Sequence, residues 1–83
     1  MRKRDPILCS FGQSVAKHRR DKGLSQEALA LQAEIDRSYF GAVERGDRNI
    51  TVKNIFKLAA ALGESPSKIF HVAERILNGA HVE

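Results

Sequence analysis

Apolar residues recur along the chain at intervals of three and four, and this spacing divides it into five helical stretches separated by four breaks. Leu8, Phe11, Val15 and Ala16 trace the first, from Ile7 or Leu8 to about Lys22, with Gly23 where a helix would stop. Leu29 and Ala33 mark the inner face of a short second stretch capped by Ser25; Ala28 stands where a capping box would need an acid or amide. Asp36 opens the third as N-cap, with Tyr39, Phe40 and Val43 on its apolar face, and Gly46 closes it. Thr51 caps a fourth, carrying Ile55, Leu58, Ala59 and Leu62 and ending at Gly63. Ser65 caps the fifth, and Pro66 takes its first helical position, where a missing N–H does no harm. Ile69, Phe70, Ala73, Ile76 and Leu77 form its stripe before Gly79. No period-two alternation marks a strand, so the pattern predicts an all-α fold: one compact five-helix bundle, a single domain over residues 1–83.

The third stretch, DRSYFGAVERG from Asp36 to Gly46, contains a costly choice. Gly41 lies in mid-helix, where glycine costs roughly 1 kcal/mol relative to alanine. At helical spacing Arg37, Ser38, Gly41, Ala42 and Arg45 share the side opposite Tyr39, Phe40 and Val43. Two arginines there flank three small residues with no acid, where most bundle helices carry Glu, Lys and Gln. A face of that shape lets the backbone approach another surface closely while the arginines reach out, so Gly41 is expected to face a groove. Leu29, Ala30, Ala33, Ile35, Phe40 and Val43 supply the skeleton of two helices joined by a tight turn, with Ala30 at their crossing. Apolar spacing alone fits an ordinary helical hairpin as well as a helix-turn-helix over residues 25–45, whose second helix enters a DNA major groove. The outward face favours the second reading. Arginine can donate two bonds to guanine O6 and N7, and serine can bond several base edges. Arg37, Ser38 and Arg45 are therefore the candidate base readers.

Composition narrows the classes further. With 42% hydrophobic and 29% charged residues, the chain reads as a soluble globular protein. No apolar run approaches a membrane span, and the stretch MRKRDPILCSFG is too short and too interrupted for a signal peptide. A cytoplasmic location is expected. Cys9, the one cysteine, has no internal disulfide partner and is expected to be a small buried hydrophobe. The net charge of +4 permits a polyanionic partner without requiring one. Basic residues cluster at Arg2–Arg4 and at Lys17–Lys22, and a solvated helix face explains the second cluster nearly as well as phosphate contacts do. His18, His71 and His81 lack metal-ligand spacing. With no nucleophile–base–acid grouping, glycine-rich phosphate loop or carboxylate pair, neither enzymatic activity nor a cofactor or metal is expected.

The run FGQSVAKHRRDKGLSQEALALQAEIDRSYFGAVERGDRNIT resembles the helix-turn-helix domain of the Cro/cI-type (XRE) family of bacterial and phage transcriptional regulators. The resemblance extends from about Phe11 to Phe70, with LSQEALA and SYFGAVERGDRN its most specific parts, and looks most like controller proteins of restriction–modification systems. It implies a lambda-repressor-like fold and roles residue by residue. Gln26 matches a glutamine that holds a DNA phosphate and braces the recognition helix. Arg37 and Ser38 match base-reading positions, and Tyr39 a residue that packs at the edge and reaches a phosphate. Arg48 and Asn49 match backbone-contacting positions, with Lys53 nearby as a further phosphate contact. Arg19 and Glu44 match an internal ion pair. Glu34 departs from the family's frequent turn glycine and would carry about 1 kcal/mol of strain at positive φ. The implied partners are operator DNA and a second copy of the chain, with RNA polymerase a further one. The two-fold interface is expected from helices over about 51–78, drawing on Ile55, Phe56, Leu62, Ile69, Phe70, Val72 and Ile76. The competing reading is an antitoxin or bridging module that uses the same fold to bind protein. Against it stand the arginine-bearing face and the short tail NGAHVE after the fifth helix.

Overall fold

The computed structural model describes residues 4–79; Arg2, Lys3 and His81 lie outside the described residues. Five helices follow one another: α1 Pro6–Asp21, α2 Gln26–Ala33, α3 Arg37–Arg45, α4 Val52–Leu62 and α5 Pro66–Leu77. Each of the four polar caps read from the pattern does its expected work. Ser25, Asp36, Thr51 and Ser65 accept from the backbone N–H of Ala28, Tyr39, Asn54 and Lys68 respectively. α1 begins a residue earlier than its apolar spacing suggests. The Asp5 carboxylate accepts from Ile7 and Leu8 N–H at 2.8 and 3.2 Å, and Pro6 occupies the first helical position.

α1 is the scaffold. It packs along α5 on one side and crosses α3 on the other, while α2 sits between α3 and α4. Phe40, Leu29, Leu58, Leu62, Ile69, Val15 and Val43 fill the centre. Ser14 Oγ donates to the Ile69 carbonyl at 2.7 Å, and Phe11 lies against Phe70 with ring centroids 5.3 Å apart. At Gly12 a Cβ would collide with the carbonyl oxygens of Val43 and Glu44, so α1 and the end of α3 touch backbone to backbone. Three positions along, Cys9 is half-buried rather than buried, its Sγ against Gly46 and 4.0 Å from the Arg45 carbonyl oxygen. These two crossings fix the height and tilt of α3 on the scaffold.

Three of the residues expected at a two-fold interface are committed elsewhere. Ile55, Leu62 and Ile69 are buried in the core, because α4 and α5 need their inner stripes to close over Leu29 and Phe40. They have no surface to offer a second copy. Phe56 and Phe70 remain 60% and 48% exposed, and Val72 and Ile76 are half-buried.

The turn between α2 and α3 takes the strained form. Glu34 sits at φ 58° and ψ 47°, the one non-glycine at positive φ among the described residues. Ile35 N–H donates to the Ala30 carbonyl at 2.9 Å, closing α2 in the usual left-handed manner. A side chain in this region costs about 1–2 kcal/mol, while glycine gives back about 0.5–1 in chain entropy. Glu34→Gly should therefore raise stability by about 0.5–1 kcal/mol in urea unfolding. A lower midpoint would mean that the Glu34 side chain makes a compensating contact.

Candidate nucleic-acid interface

α3 carries the candidate readers because its N-terminus leaves the scaffold while its C-terminus is pinned to α1. Asp36 caps it, accepting from Tyr39 N–H at 3.0 Å, and Arg37 and Ser38 stand fully outward on the first turn. Arg45 is exposed on the last turn, its Nε 3.2 Å from Asp47 Oδ2. Gly41, expected to face an open groove, is buried. A Cβ there would sit 3.4 Å from Arg45 Nη1 and 3.6 Å from Gln26 Oε1. Both are ordinary van der Waals distances, so a methyl group would fit, and the low-relief surface of α3 is roofed by Gln26 and Arg45 rather than bare.

Behind the helix lies a polar hub. The Glu44 carboxylate, 5% exposed, accepts from Arg19 Nε at 2.7 Å and Nη2 at 3.1 Å in a two-pronged pair. It also accepts from Gln26 Nε2 at 2.9 Å, and Arg19 Nη1 donates to the Leu24 carbonyl at 2.8 Å. One carboxylate thus ties α1, the start of α2 and the last turn of α3 into one unit. The ion pair read from the sequence is present. Gln26 braces α3 through this hub, its amide held beside α3 at the N-terminal end of α2. No buried side-chain N or O atom lacks a partner among the described residues.

Tyr39 fixes the other flank. Its hydroxyl donates to the Asn49 carbonyl at 3.3 Å and accepts from Asn54 Nδ2 at 3.4 Å, while the Arg48 guanidinium lies 5.4 Å above its ring. Tyr39 thus holds the loop that follows α3 and stacks Arg48 in place. Arg48, Asn49 and Lys53 are exposed, and Thr51 caps α4 beside them, so the first amides of α4 share their surface. Sequence reasoning did not find Asn54, Asp47 or Arg4 at this surface. Asn54 sits one turn into α4, three residues after the cap, a position the apolar stripe does not mark.

Part of the second basic cluster is engaged within the fold, while Arg20 and Lys22 are exposed. Lys17 Nζ lies 2.8 Å from Asp21 Oδ2, and this hydrogen bond holds the Asp21 carboxyl below its ordinary range. His18 is buried with Nδ1 2.8 Å from the Ser14 carbonyl, and Arg19 belongs to the hub. Among the described residues no group of His, Cys, Asp and Glu could hold a metal ion, and no helix is long and apolar enough to cross a membrane. Arg37, Ser38, Arg45, Arg48, Asn49 and Lys53 are all exposed, on α3, in the loop after it and on the first turn of α4.

Comparison with known proteins agrees with this geometry. The family described as helix-turn-helix matches residues 15–69. The chain is 39% identical over 70 residues to control protein C.MunI of a Mycoplasma species, covering 83% of this chain and 95% of that protein. Against control protein C.BamHI of Bacillus amyloliquefaciens the identity is 42% over 64 residues, 76% of this chain and 79% of the other. Its fold is similar to the crystal structure of the restriction–modification controller protein C.AhdI from Aeromonas hydrophila, with a TM-score of 0.75 and 52% identity over 76% of this chain and 96% of that one. The braced α3 and these matches lead to one conclusion: the chain belongs to the helix-turn-helix family, in its Cro/cI (XRE) branch, with restriction–modification controller proteins among its relatives.

Proposed function

We propose that this protein is a sequence-specific transcriptional regulator that binds pseudo-palindromic operator DNA as a homodimer and controls a restriction–modification operon. The observation that carries the reading is the first turn of α3: Arg37 and Ser38 are presented outward on a helix whose inner side is locked by the Glu44–Arg19–Gln26 hub. A reader must hold its donors still relative to the base edges, and a rigid backing supplies that. Arg48, Asn49 and Lys53 would take backbone phosphates, together with the α2 and α4 N-termini. On this reading Gln26 and Tyr39 act mainly by positioning, and their phosphate contacts are secondary.

One α3 reads half a site, and helix-turn-helix dimers set two of them about 34 Å apart. Phe56 and Phe70, with Val72 and Ile76, leave apolar surface on α4 and α5 that a second copy would cover. This assigns residues 25–45 to DNA and the outer faces of 51–78 to pairing, within one domain. Activation, where the regulator performs it, requires contact with RNA polymerase, and work on operator DNA belongs in the cytoplasm. Sedimentation at tens of micromolar should show a dimer, and protection of the protein's own promoter should show two half-footprints one helical turn apart. A monomer that does not pair even on DNA would contradict the homodimer.

A further inference from the structure

Just beyond α3, one carboxylate stands between two arginines. Asp47 Oδ2 lies 3.2 Å from Arg45 Nε, and Asp47 Oδ1 lies 3.1 Å from Arg4 Nη1. Arg4 Nη1 also donates to the Arg45 carbonyl oxygen, so the residue before the cap of α1 is tied to the far end of α3. Asp47 N–H donates to the Ala42 carbonyl at 2.9 Å, which seats its side chain where the last turn of α3 ends. Its partner's guanidinium lies back over the space that Gly41 leaves.

We propose that Asp47 is a specificity-determining positioning residue: it holds the Arg45 guanidinium in one place on the surface of α3 and keeps it from binding DNA of any sequence. The proposal rests on the DNA-binding reading above. A free arginine on that surface finds a phosphate beside every base pair, and each cation so used adds sequence-independent affinity. A carboxylate at Nε occupies one edge of the fork and fixes the plane of the rest, as discrimination between base edges requires. Exposed pairs of this kind add little to folding. A carboxylate facing a polyanion also costs binding energy, so its placement at the DNA surface calls for a role other than affinity. Arg4 completes the device by holding Asp47 from the opposite side.

The test compares wild type with Asp47→Asn, Arg45→Ala and the double variant. Each is measured on the duplex that wild type enriches from a randomised library and on a scrambled duplex of the same composition. Asp47→Asn should lower the ratio of selected to scrambled affinity about tenfold. It should also steepen the dependence of scrambled-duplex log K on log[salt] by about one unit, as the released Arg45 takes a phosphate. In the Arg45→Ala background the same substitution should change the ratio by less than about twofold. An unchanged ratio, or an equal fall with and without Arg45, overturns the inference and leaves the DNA reading intact. A wild type that enriches nothing overturns that reading and this inference with it. Asp47→Asn that melts well below wild type makes Asp47 a folding residue and also overturns the proposal.

Discussion

Arg37→Ala should cost on the order of 1–3 kcal/mol at each half-site. On a two-fold operator, where the two sites are far enough apart to add, the loss becomes about 2–6 kcal/mol. The expectation follows from position. Arg37 is the first residue of α3, fully outward beside the Asp36 cap, where a recognition helix meets base edges. Preference should relax at one base position per half-site while the unfolding midpoint stays put, because the side chain supports no packing. Titration against single-base variants of the selected duplex reads both effects. An equal loss on every sequence would make Arg37 a phosphate ligand and leave Ser38 and Arg45 to read bases.

Glu44→Ala should have the largest effect on stability. It leaves Arg19, buried with it, without its two-pronged partner and frees Gln26 from α3. Breaking one side of a buried pair costs about 3–5 kcal/mol, whereas replacing both sides by apolar groups is close to neutral. A domain of this length has a total stability of about 4–12 kcal/mol, so the single variant stands near the edge of folding. Urea unfolding of Glu44→Ala and of the double replacement Arg19→Met with Glu44→Leu separates the two cases. The double variant should be markedly more stable than Glu44→Ala, yet it should bind operator poorly, since Gln26 has lost its anchor. Equal stability would mean that the hub is not held by desolvated charge.

Helix positions and caps were legible because they are local. Ser25, Asp36, Thr51 and Ser65 each act on an amide three residues away, a distance the sequence displays directly. Asp5 and Pro6 carried an equally local signal at the start of α1, which apolar spacing passes over. What spacing cannot do is tell an inner stripe from an outer one on a helix with apolar residues on both. Ile55 and Phe56 are neighbours, and one closes the core while the other faces outward. Gly41 shows the same limit from the polar side. Helical spacing places it on an outward face that meets a groove, but it is buried. Gln26 and Arg45 come over it from another helix and from its own last turn, an arrangement set by tertiary approach. The Glu44 hub was reached through family resemblance rather than periodicity, since Arg19 and Glu44 lie 25 residues apart. Asp47 and Arg4, 43 residues apart, had no such guide.

The central claim is that a braced α3 reads sequence as part of a dimer, and binding of selected and scrambled duplex from low to moderate salt tests it most directly. Phosphate contacts weaken steeply as salt rises because they release counterions, while contacts to base edges depend on salt far less. The account predicts that scrambled-duplex binding disappears at salt concentrations where the selected duplex is still held tightly, with a stoichiometry of two chains per duplex. Equal affinities for the two duplexes throughout the titration would contradict it.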